Sequence, residues 1–151
     1  MQNNIFSLNG KVVVITGGLG QIGKVFVETV VKHGGKAIIF DIFEKDYFKQ
    51  EFDNSLIKSL AYFKVDITNK SEIENAVEKC INEFDHIDVL INNAGLDSPP
   101  DAPEEEVGPF ETYPENSFDQ VMNVNVKGTL LCCQVIGKVM RKQKKGIILN
   151  I

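Results

Sequence analysis

Long apolar runs are missing from this 151-residue sequence, and cysteine is scarce. No run approaches the length of a bilayer span, and the first residues lack the charged-then-apolar order of a secretory signal. The three cysteines are an odd number and form no Cys-x-x-Cys or Cys/His spacing. This pattern is not typical of a disulfide framework or a zinc site. We therefore expect a cytoplasmic protein that neither spans a membrane nor binds a metal.

Basic residues are outnumbered, because 16 lysines and arginines stand against 21 aspartates and glutamates, a net charge of −5. This balance disfavours a nucleic-acid backbone or an anionic membrane surface as a partner. The hydrophobic share of 43% and the charged share of 25% are typical of a globular protein. The length suits one domain with a sizeable core. Composition thus predicts one globular domain without a nucleic-acid or membrane partner.

Glycines follow the first apolar run at once. The run Val12–Ile15 predicts a buried strand, and a helical pattern begins at about Gln21. The glycines between and beyond them satisfy both G-x-G-x-x-G and G-x-x-G-x-x-G, at Gly17, Gly18, Gly20 and Gly23. A strand, bare backbone and a helix N-terminus in that order can cradle a dinucleotide pyrophosphate. The alternative interpretation is a tight strand-to-helix turn without a ligand.

The acidic residue Asp41 ends the next apolar run, at the distance expected in a dinucleotide site. A carboxylate there can accept hydrogen bonds from the ribose hydroxyls of NAD, and it repels the 2′-phosphate of NADP. The loop from Thr16 to Gly23 holds no lysine or arginine that would offset this repulsion. If the loop binds a dinucleotide, we therefore expect NAD, with NADP disfavoured.

Apolar runs and helical patterns alternate along the chain. Further strands are predicted at Ala37–Phe40, Leu60–Val65, Ile87–Ile91 and Ile147–Ile151. Helices are predicted at 21–33, 69–84 and 117–143, and one short helix within 42–59. The first helix is predicted to bury Ile22, Val25, Phe26 and Val30. Such alternation predicts an α/β fold, a doubly wound parallel sheet with helices on both faces in three α/β/α layers.

The predicted helix 117–143 is apolar on more than one side. One side can face the sheet and the other a second subunit. Before it, the segment from Leu96 to Tyr113 has four prolines and no periodicity, and residues 97–119 hold eight acidic and no basic residues. A solvated loop and a lid over a substrate site are both open interpretations of this segment.

Four stretches together resemble the short-chain dehydrogenase/reductase family: Thr16-Gly17 with Gly23, Asp66-Ile67, Asn92-Asn93-Ala94-Gly95, and Asn123-Val124-Asn125-Val126-Lys127-Gly128. The resemblance covers nearly the whole chain. It implies a Rossmann-like fold, an NAD(P)-dependent oxidoreductase acting on a small alcohol or carbonyl substrate, and a homodimer or homotetramer. It also implies that Asn125 is the catalytic asparagine, which anchors a proton-relay water. The implied cofactor-binding residues are Thr16, Gly17, Gly18, Leu19, Gly20, Gln21, Ile22, Gly23, Asp41, Ile42, Asp66, Ile67, Asn92, Asn93, Ala94 and Gly95.

The sequence also departs from the family. In the family's T-G-x-x-x-G-x-G loop the sixth position is glycine, whereas here it is Gln21, with Gly20 one place earlier. This placement is closer to the sugar-nucleotide branch and suggests a sugar-related substrate, and the loop before Asn125 is longer than usual.

The family's catalytic serine and its Y-x-x-x-K follow the fifth strand, but none of Tyr47, Tyr62 and Tyr113 begins that motif. We therefore expect residues 1–151 to be the NAD(P)-binding half of an enzyme, truncated after the fifth strand and inactive alone. A non-catalytic dinucleotide-binding module or regulator, using the same pocket, is the alternative. A flavodoxin-like or receiver-type domain is a third interpretation, against which the glycine loop and Asn92–Gly95 argue.

Overall fold

The computed structural model describes residues 5–97 and 103–151. Within these residues one sheet of five parallel strands forms: β1 (Val12–Thr16), β2 (Lys36–Asp41), β3 (Leu60–Lys64), β4 (Val89–Asn92) and β5 (Ile147–Asn150). The strand order is β3-β2-β1-β4-β5. Strand order therefore runs outward from β1 in both directions, and the switch point lies between β1 and β4.

Helices connect the strands. In the described parts of the chain they are α1 (Gln21–Lys32), α2 (Lys45–Glu51), α3 (Asn54–Ile57), α4 (Lys70–Phe84), α5 (Glu104–Val107), α6 (Glu115–Met122) and α7 (Thr129–Gln143). A 3-10 turn occupies Phe110–Thr112, and a π-helical stretch, Asn123–Gly128, joins α6 to α7 without a break. Among the helices of these parts, none has the length and apolar character needed to cross a bilayer.

Each face of the sheet carries its own apolar core. Side chains of a strand point alternately to the two faces, so β1 and β2 contribute to both cores. Helices α1 and α2 cover one face, with the buried residues Val13, Ile15, Val27, Val30, Ile39 and Phe48 among others. Helices α4 and α7 cover the opposite face, with Val14, Phe40, Ile73, Val77, Leu90 and Ile136 among others. This arrangement confirms the predicted three-layer α/β/α fold with a doubly wound parallel sheet.

Strand β5 is exposed on the α1 side of the sheet. Ile147 and Leu149 pair with Val89 and Ile91 of β4, which belong to the α1-side core. Paired residues of neighbouring strands share a face. In the described residues Ile147, Leu149 and Ile151 are nevertheless exposed, with 46–70% of their surface accessible.

Asp88 ties three strands together at the amino-terminal edge of the sheet. Its buried carboxylate accepts hydrogen bonds from the Val12 N–H at 3.1 Å and from Lys11 Nζ at 3.3 Å. Lys145, just before β5, approaches at 2.6 Å, and His86 Nε2 at 3.1 Å. Burial by itself raises the pKa of the Asp88 carboxyl, but the hydrogen bonds from Lys145, Val12 and Lys11 outweigh it and lower the pKa from its ordinary 3.8 to about 2.

The predicted inward face of α1 is wrong in part. Ile22 and Val25 are 59% and 61% exposed, whereas Gly23, Val27 and Val30 are the buried residues of the helix. The reason is steric, because a Cβ on Gly23 would overlap the Gly17 carbonyl oxygen. The helix must therefore turn its glycine toward the loop, and residues 27 and 30 then face the sheet.

Several element boundaries also differ from the sequence prediction. The segment 42–59 contains two short helices, α2 and α3, rather than one, and β4 begins at Val89 rather than Ile87. The segment 96–113, predicted to lack regular structure, holds α5 and the 3-10 turn, while residues 98–102 lie outside the described residues. The last helix begins at Glu115, two residues before the predicted start, and its π-helical stretch was not predicted.

Candidate functional site

The glycine loop lies at the carboxyl end of β1 and is folded tightly. Gly17 has a positive φ of +64°, which favours glycine, and its N–H donates to the Phe40 carbonyl oxygen at 2.8 Å. A Cβ on Gly17 would lie 2.8 Å from the Ala94 Cα atom. Together with the close approach of Gly23 to Gly17, this packing leaves bare backbone facing outward at the start of α1. Such a surface can bring N–H groups close to a phosphate.

The end of β4 is fastened to the end of β1. The hydroxyl oxygen of Thr16, which is fully buried, accepts the N–H groups of Asn93 and Ala94, each at 3.0 Å. In return, the side-chain amide of Asn93 donates to the carbonyl oxygens of Thr16 and Gly17, each at 3.1 Å. Thr16 and Asn93 therefore hold the glycine loop and the Asn92–Gly95 segment in one fixed relation.

Asp41 fixes the glycine loop from the other side. One carboxylate oxygen accepts the Leu19 N–H at 3.0 Å and the other accepts the Ile42 N–H at 2.8 Å. The Asp41 side chain is buried, whereas the Ile42 side chain that follows it is exposed. Each carboxylate oxygen keeps a further lone pair. Asp41 can thus support the loop and still accept hydrogen bonds from a ligand.

Asp66 and Ile67 leave β3 toward the same edge of the sheet. The exposed Asp66 carboxylate accepts from the N–H and the hydroxyl of Thr68, at 2.8 and 2.7 Å, and so closes a local turn. Ile67 is buried beneath the last helix, where a Cβ on Gly128 would come within 2.6 Å of its Cδ1 atom. Gly128 thus lets the helix approach Ile67, a role that its sequence position did not reveal.

Asn125 lies in the π-helical stretch and grips the main chain of Leu96. Its Oδ1 atom accepts the Leu96 N–H at 2.7 Å, and its Nδ2 atom donates to the Leu96 carbonyl oxygen at 3.0 Å. π-helical turns are rare and occur frequently at functional sites. The continuous helix formed by α6, the π-helical stretch and α7, residues 115–143, is the long helix of this chain. The Asn125 side chain connects it to Leu96, directly after the Asn92–Gly95 segment, and both of its polar atoms take part.

Asn92 points between β4, β5 and α7. Its amide donates to Asn150 Oδ1 at 2.8 Å and to Cys133 Sγ at 3.3 Å. The side chain is buried, and its Oδ1 atom has no hydrogen-bond partner among the described residues. Asn92 thus connects β4 to β5 and α7, whereas the three residues that follow it, Asn93–Gly95, line the cleft.

A cleft of about 820 Å³ opens where these segments meet. Its volume is in the range of small-molecule and cofactor sites. The predicted site residues on its wall are Gly17, Gly20, Gln21, Ile22, Gly23, Asp41, Ile42, Asp66, Ile67, Asn93, Ala94 and Gly95. The predicted site residues that do not line the cleft are Thr16, Gly18, Leu19, Asn92 and Asn125.

Sequence reasoning missed other wall residues, which are Phe40, Phe43, Val65, Thr68, Leu96, Asp97, Gln120, Asn123 and Val124. Most are neighbours of the predicted motifs. Their adjacency to Asp41, Asp66, Gly95 and Asn125 is the signal that could have found them.

Comparison with known proteins agrees with this geometry. The sequence profile of the family described as short chain dehydrogenase matches residues 11–151. Xanthoxin dehydrogenase from Arabidopsis thaliana is 36% identical over 149 residues, which cover 95% of this chain and 50% of the relative.

Two solved structures are similar over nearly the whole chain. The short-chain dehydrogenase from Leptospira borgpetersenii serovar Hardjo-bovis with bound NAD+ is 30% identical, with a TM-score of 0.82, and the match covers 99% of this chain and 54% of that one. An NAD+-bound xylitol dehydrogenase is 25% identical, with a TM-score of 0.82, covering 95% of this chain and 53% of that one. The chain therefore spans about half the length of the relatives it matches.

Proposed function

Because this chain belongs to the short-chain dehydrogenase family, we propose that it is the cofactor-binding half of an NAD-dependent oxidoreductase. The observation that carries the proposal is the shared cleft of the glycine loop, Asp41 and Asn93–Gly95 at the carboxyl ends of β1, β2 and β4. Ligands of doubly wound sheets bind at this edge, next to the switch point. The proposed substrate is a small alcohol or carbonyl compound.

The residues present fit a dinucleotide. Gly17 and Gly20 expose backbone at the N-terminus of α1, where the helix dipole favours a pyrophosphate, and the missing side chain of Gly23 lets the helix pack on Gly17. Hydrogen bonds of Thr16, Asn93 and Asp41 hold the loop, so contacts within the protein itself fix its shape. Preorganisation of this kind lowers the entropic cost of association.

We propose a preference for NAD over NADP. Asp41 ends β2 on the cleft wall, and its buried carboxylate keeps lone pairs for the ribose hydroxyls. A 2′-phosphate at that place would meet a like charge in a partly desolvated position. No lysine or arginine lines the cleft within the described residues. Two of the similar structures hold bound NAD+, which is consistent with this proposal.

Asn125 contributes to hydride transfer by positioning other groups rather than by reacting itself. A bound nicotinamide dinucleotide supplies or accepts the hydride. Asn125 holds Leu96 at the rim of the cleft and thereby sets the distance between the long helix and the Asn93–Gly95 segment. We propose that its π-helical backbone anchors a water molecule of a proton relay. The hydroxyl acid/base of that relay is expected outside residues 1–151, because no tyrosine of this chain begins Y-x-x-x-K.

A second subunit is the proposed partner of the long helix. Phe118, Met122, Val126 and Leu130 recur every four residues and are each 40–54% exposed. This spacing places them in one stripe on the surface of the helix. Burial of the stripe against its copy would give a homodimer or homotetramer. Light scattering of the natural full-length protein tests this, and a strict monomer at micromolar concentration would contradict it.

The function is tested by cofactor titration and by turnover. The natural full-length protein should bind NAD and reduce it in the presence of an alcohol, with polyols and other sugar-related compounds in the substrate panel. NAD binding without turnover on any alcohol or carbonyl compound would favour the alternative, a non-catalytic dinucleotide-binding module. Failure to bind either NAD or NADP would contradict both.

A further inference from the structure

Tyr62 lies in the edge strand β3, behind the turn that follows β2. Its ring stacks on Phe48 of α2, with ring centroids 4.9 Å apart and planes inclined by 12°. Its hydroxyl lies 3.3 Å from the Asp41 carbonyl oxygen and also contacts the Phe43 carbonyl oxygen. The hydroxyl has one hydrogen, which the two carbonyl oxygens of the turn share.

The turn from Asp41 to Phe43 forms one wall of the cleft, whereas Tyr62 does not line it. The Asp41 carbonyl oxygen also accepts the Val65 N–H at 2.8 Å, as the extension of the ladder between β2 and β3. Phe43 lies past the end of β2, where the ladder no longer holds the backbone. The ladder fixes the backbone to β3 as far as Asp41, and the Tyr62 hydroxyl fixes it to β3 two residues further on, at Phe43.

We propose that Tyr62 is a positioning residue for the adenosine end of the dinucleotide, and the proposal rests on the function proposed above. Its hydroxyl acts through the main chain of Asp41 and Phe43, with no contact to the ligand. If the turn loses this tether, it samples more conformations in the free protein. Binding must then order it, and the affinity falls.

The ring and the hydroxyl of Tyr62 can be separated by one substitution. Tyr62→Phe retains the ring that stacks on Phe48 and removes only the hydrogen bonds to the turn. Burial, and then Asp41 and Glu44, raise the pKa of the Tyr62 hydroxyl to about 12, so the donor stays protonated at neutral pH. The effect of the substitution can thus be measured without a change of charge.

The experiment compares two halves of the cofactor as separate probes in the natural full-length protein. ADP-ribose contains the adenosine end, whereas nicotinamide mononucleotide does not. Tyr62→Phe should weaken NAD and ADP-ribose about fivefold, the worth of one hydrogen bond, and leave nicotinamide mononucleotide unchanged. The KM for NAD should rise by a similar factor, while kcat at saturating NAD stays constant.

Tyr47→Phe is the matched control. The ring of Tyr47 stacks on Phe43, with centroids 4.7 Å apart, but its hydroxyl interacts with the Glu51 carboxyl, whose pKa it helps to lower, rather than with the turn backbone. This variant should bind both probes like the wild type. Unchanged NAD and ADP-ribose affinity in Tyr62→Phe, or equal losses for both probes, would overturn the positioning role. A wild type that binds neither NAD nor ADP-ribose would instead overturn the proposed function, and the positioning role with it.

Discussion

The side-chain amide of Asn125 binds both polar groups of the Leu96 main chain, the N–H at 2.7 Å and the carbonyl oxygen at 3.0 Å. The pair connects a helix to the segment after β4 across 29 residues of sequence. Both polar atoms of the Asn125 side chain take part in this pairing, so the side chain joins the helix to a residue of the cleft wall. A substitution at Asn125 therefore tests both the proposed catalytic role of this residue and the contact between the helix and Leu96.

Asn125→Ala should lower kcat of the full-length protein by about a hundredfold, the lower end of the range for a positioned proton-transfer group. Leu96 loses two hydrogen bonds, and the proposed relay water loses its fixed surroundings. NADH absorbance at saturating substrate measures the effect. Asn116→Ala, at an exposed position in the first turn of α6, should retain full kcat. Unchanged kcat in Asn125→Ala would remove the residue from the mechanism.

Asp41→Asn should reduce the preference for NAD over NADP. At roughly 4 Å and an effective dielectric constant of about 20, repulsion between the carboxylate and a 2′-phosphate is on the order of 4 kcal/mol. The affinity for NAD should also fall, because asparagine has one acceptor oxygen for two N–H groups, those of Leu19 and Ile42. Titration of both cofactors measures this, with Asp46→Asn in α2 as the control. Equal wild-type affinities for NAD and NADP would contradict the assignment.

Gly23→Ala should abolish cofactor binding, since the added Cβ would overlap the Gly17 carbonyl oxygen and lie 2.8 Å from the Gly18 Cα atom. The loop would have to open and would lose its phosphate-binding shape. Gly137→Ala is the matched helical control, because among the described residues its Cβ meets nothing closer than Ile148 Cδ1, at 3.9 Å. That control should bind NAD normally and be about 0.5–1 kcal/mol more stable. Calorimetric titration and thermal unfolding report both effects.

Acid should destabilise the protein through Asp88. The folded-state pKa of its carboxyl is about 2, below the ordinary 3.8, so the carboxylate contributes stability above pH 4. This contribution, about 2 kcal/mol, is lost as the pH falls through the folded-state pKa. Asp88→Asn should therefore be less stable than the wild type at neutral pH, and the difference should shrink toward pH 2. Urea unfolding at several pH values measures it.

Asp85→Asn is the control for that series, because Asp85 is exposed and has a positive φ of 66°, which asparagine tolerates. Its stability should follow the wild type at each pH. A constant difference between Asp88→Asn and the wild type from pH 7 to pH 2 would show that Asp88 acts by packing rather than by charge.

Residues 1–151 expressed alone should show no dehydrogenase turnover. A hydride transfer to a carbonyl leaves an alkoxide that must be protonated, and the chain has no Y-x-x-x-K to do so. The exposed Ile147 and Leu149 of β5 should also cause association, which Leu149→Lys should decrease. Weak NAD binding is expected to persist. Substrate-specific turnover by this segment, lost in Asn125→Ala, would mean that the catalytic groups lie within it.

The strands and the layer order could be predicted because buried parallel strands read as continuous apolar runs, as in β1 and β2. The inward face of α1 could not, because hydrophobic periodicity treats Gly23 as an empty position, whereas its packing on Gly17 decides how the helix is turned. The error at Ile22 and Val25 follows directly from that omission.

The motifs of the cleft could be predicted because each combines a strand end with a distinctive residue order. The hydrogen bonds behind them could not, since contacts such as Tyr62 to Phe43 or Asn125 to Leu96 join a side chain to distant main chain. Main-chain acceptors have no sequence signature. The assignment of each predicted residue to a cofactor remains a prediction that the experiments above test.

The pairing of Thr16 with Asn93 also bears on how the protein is made. The two residues are separated by 77 positions, and the glycine loop is joined to the end of β4 only when both are present. At a synthesis rate of about 5–20 residues per second, a ribosome needs roughly 4–15 s to pass from one to the other. During that interval β1 can pair with β2, but its other edge has no partner until β4 has been synthesised. The nascent chain is therefore expected to expose an unpaired β1 edge, a natural binding site for a chaperone.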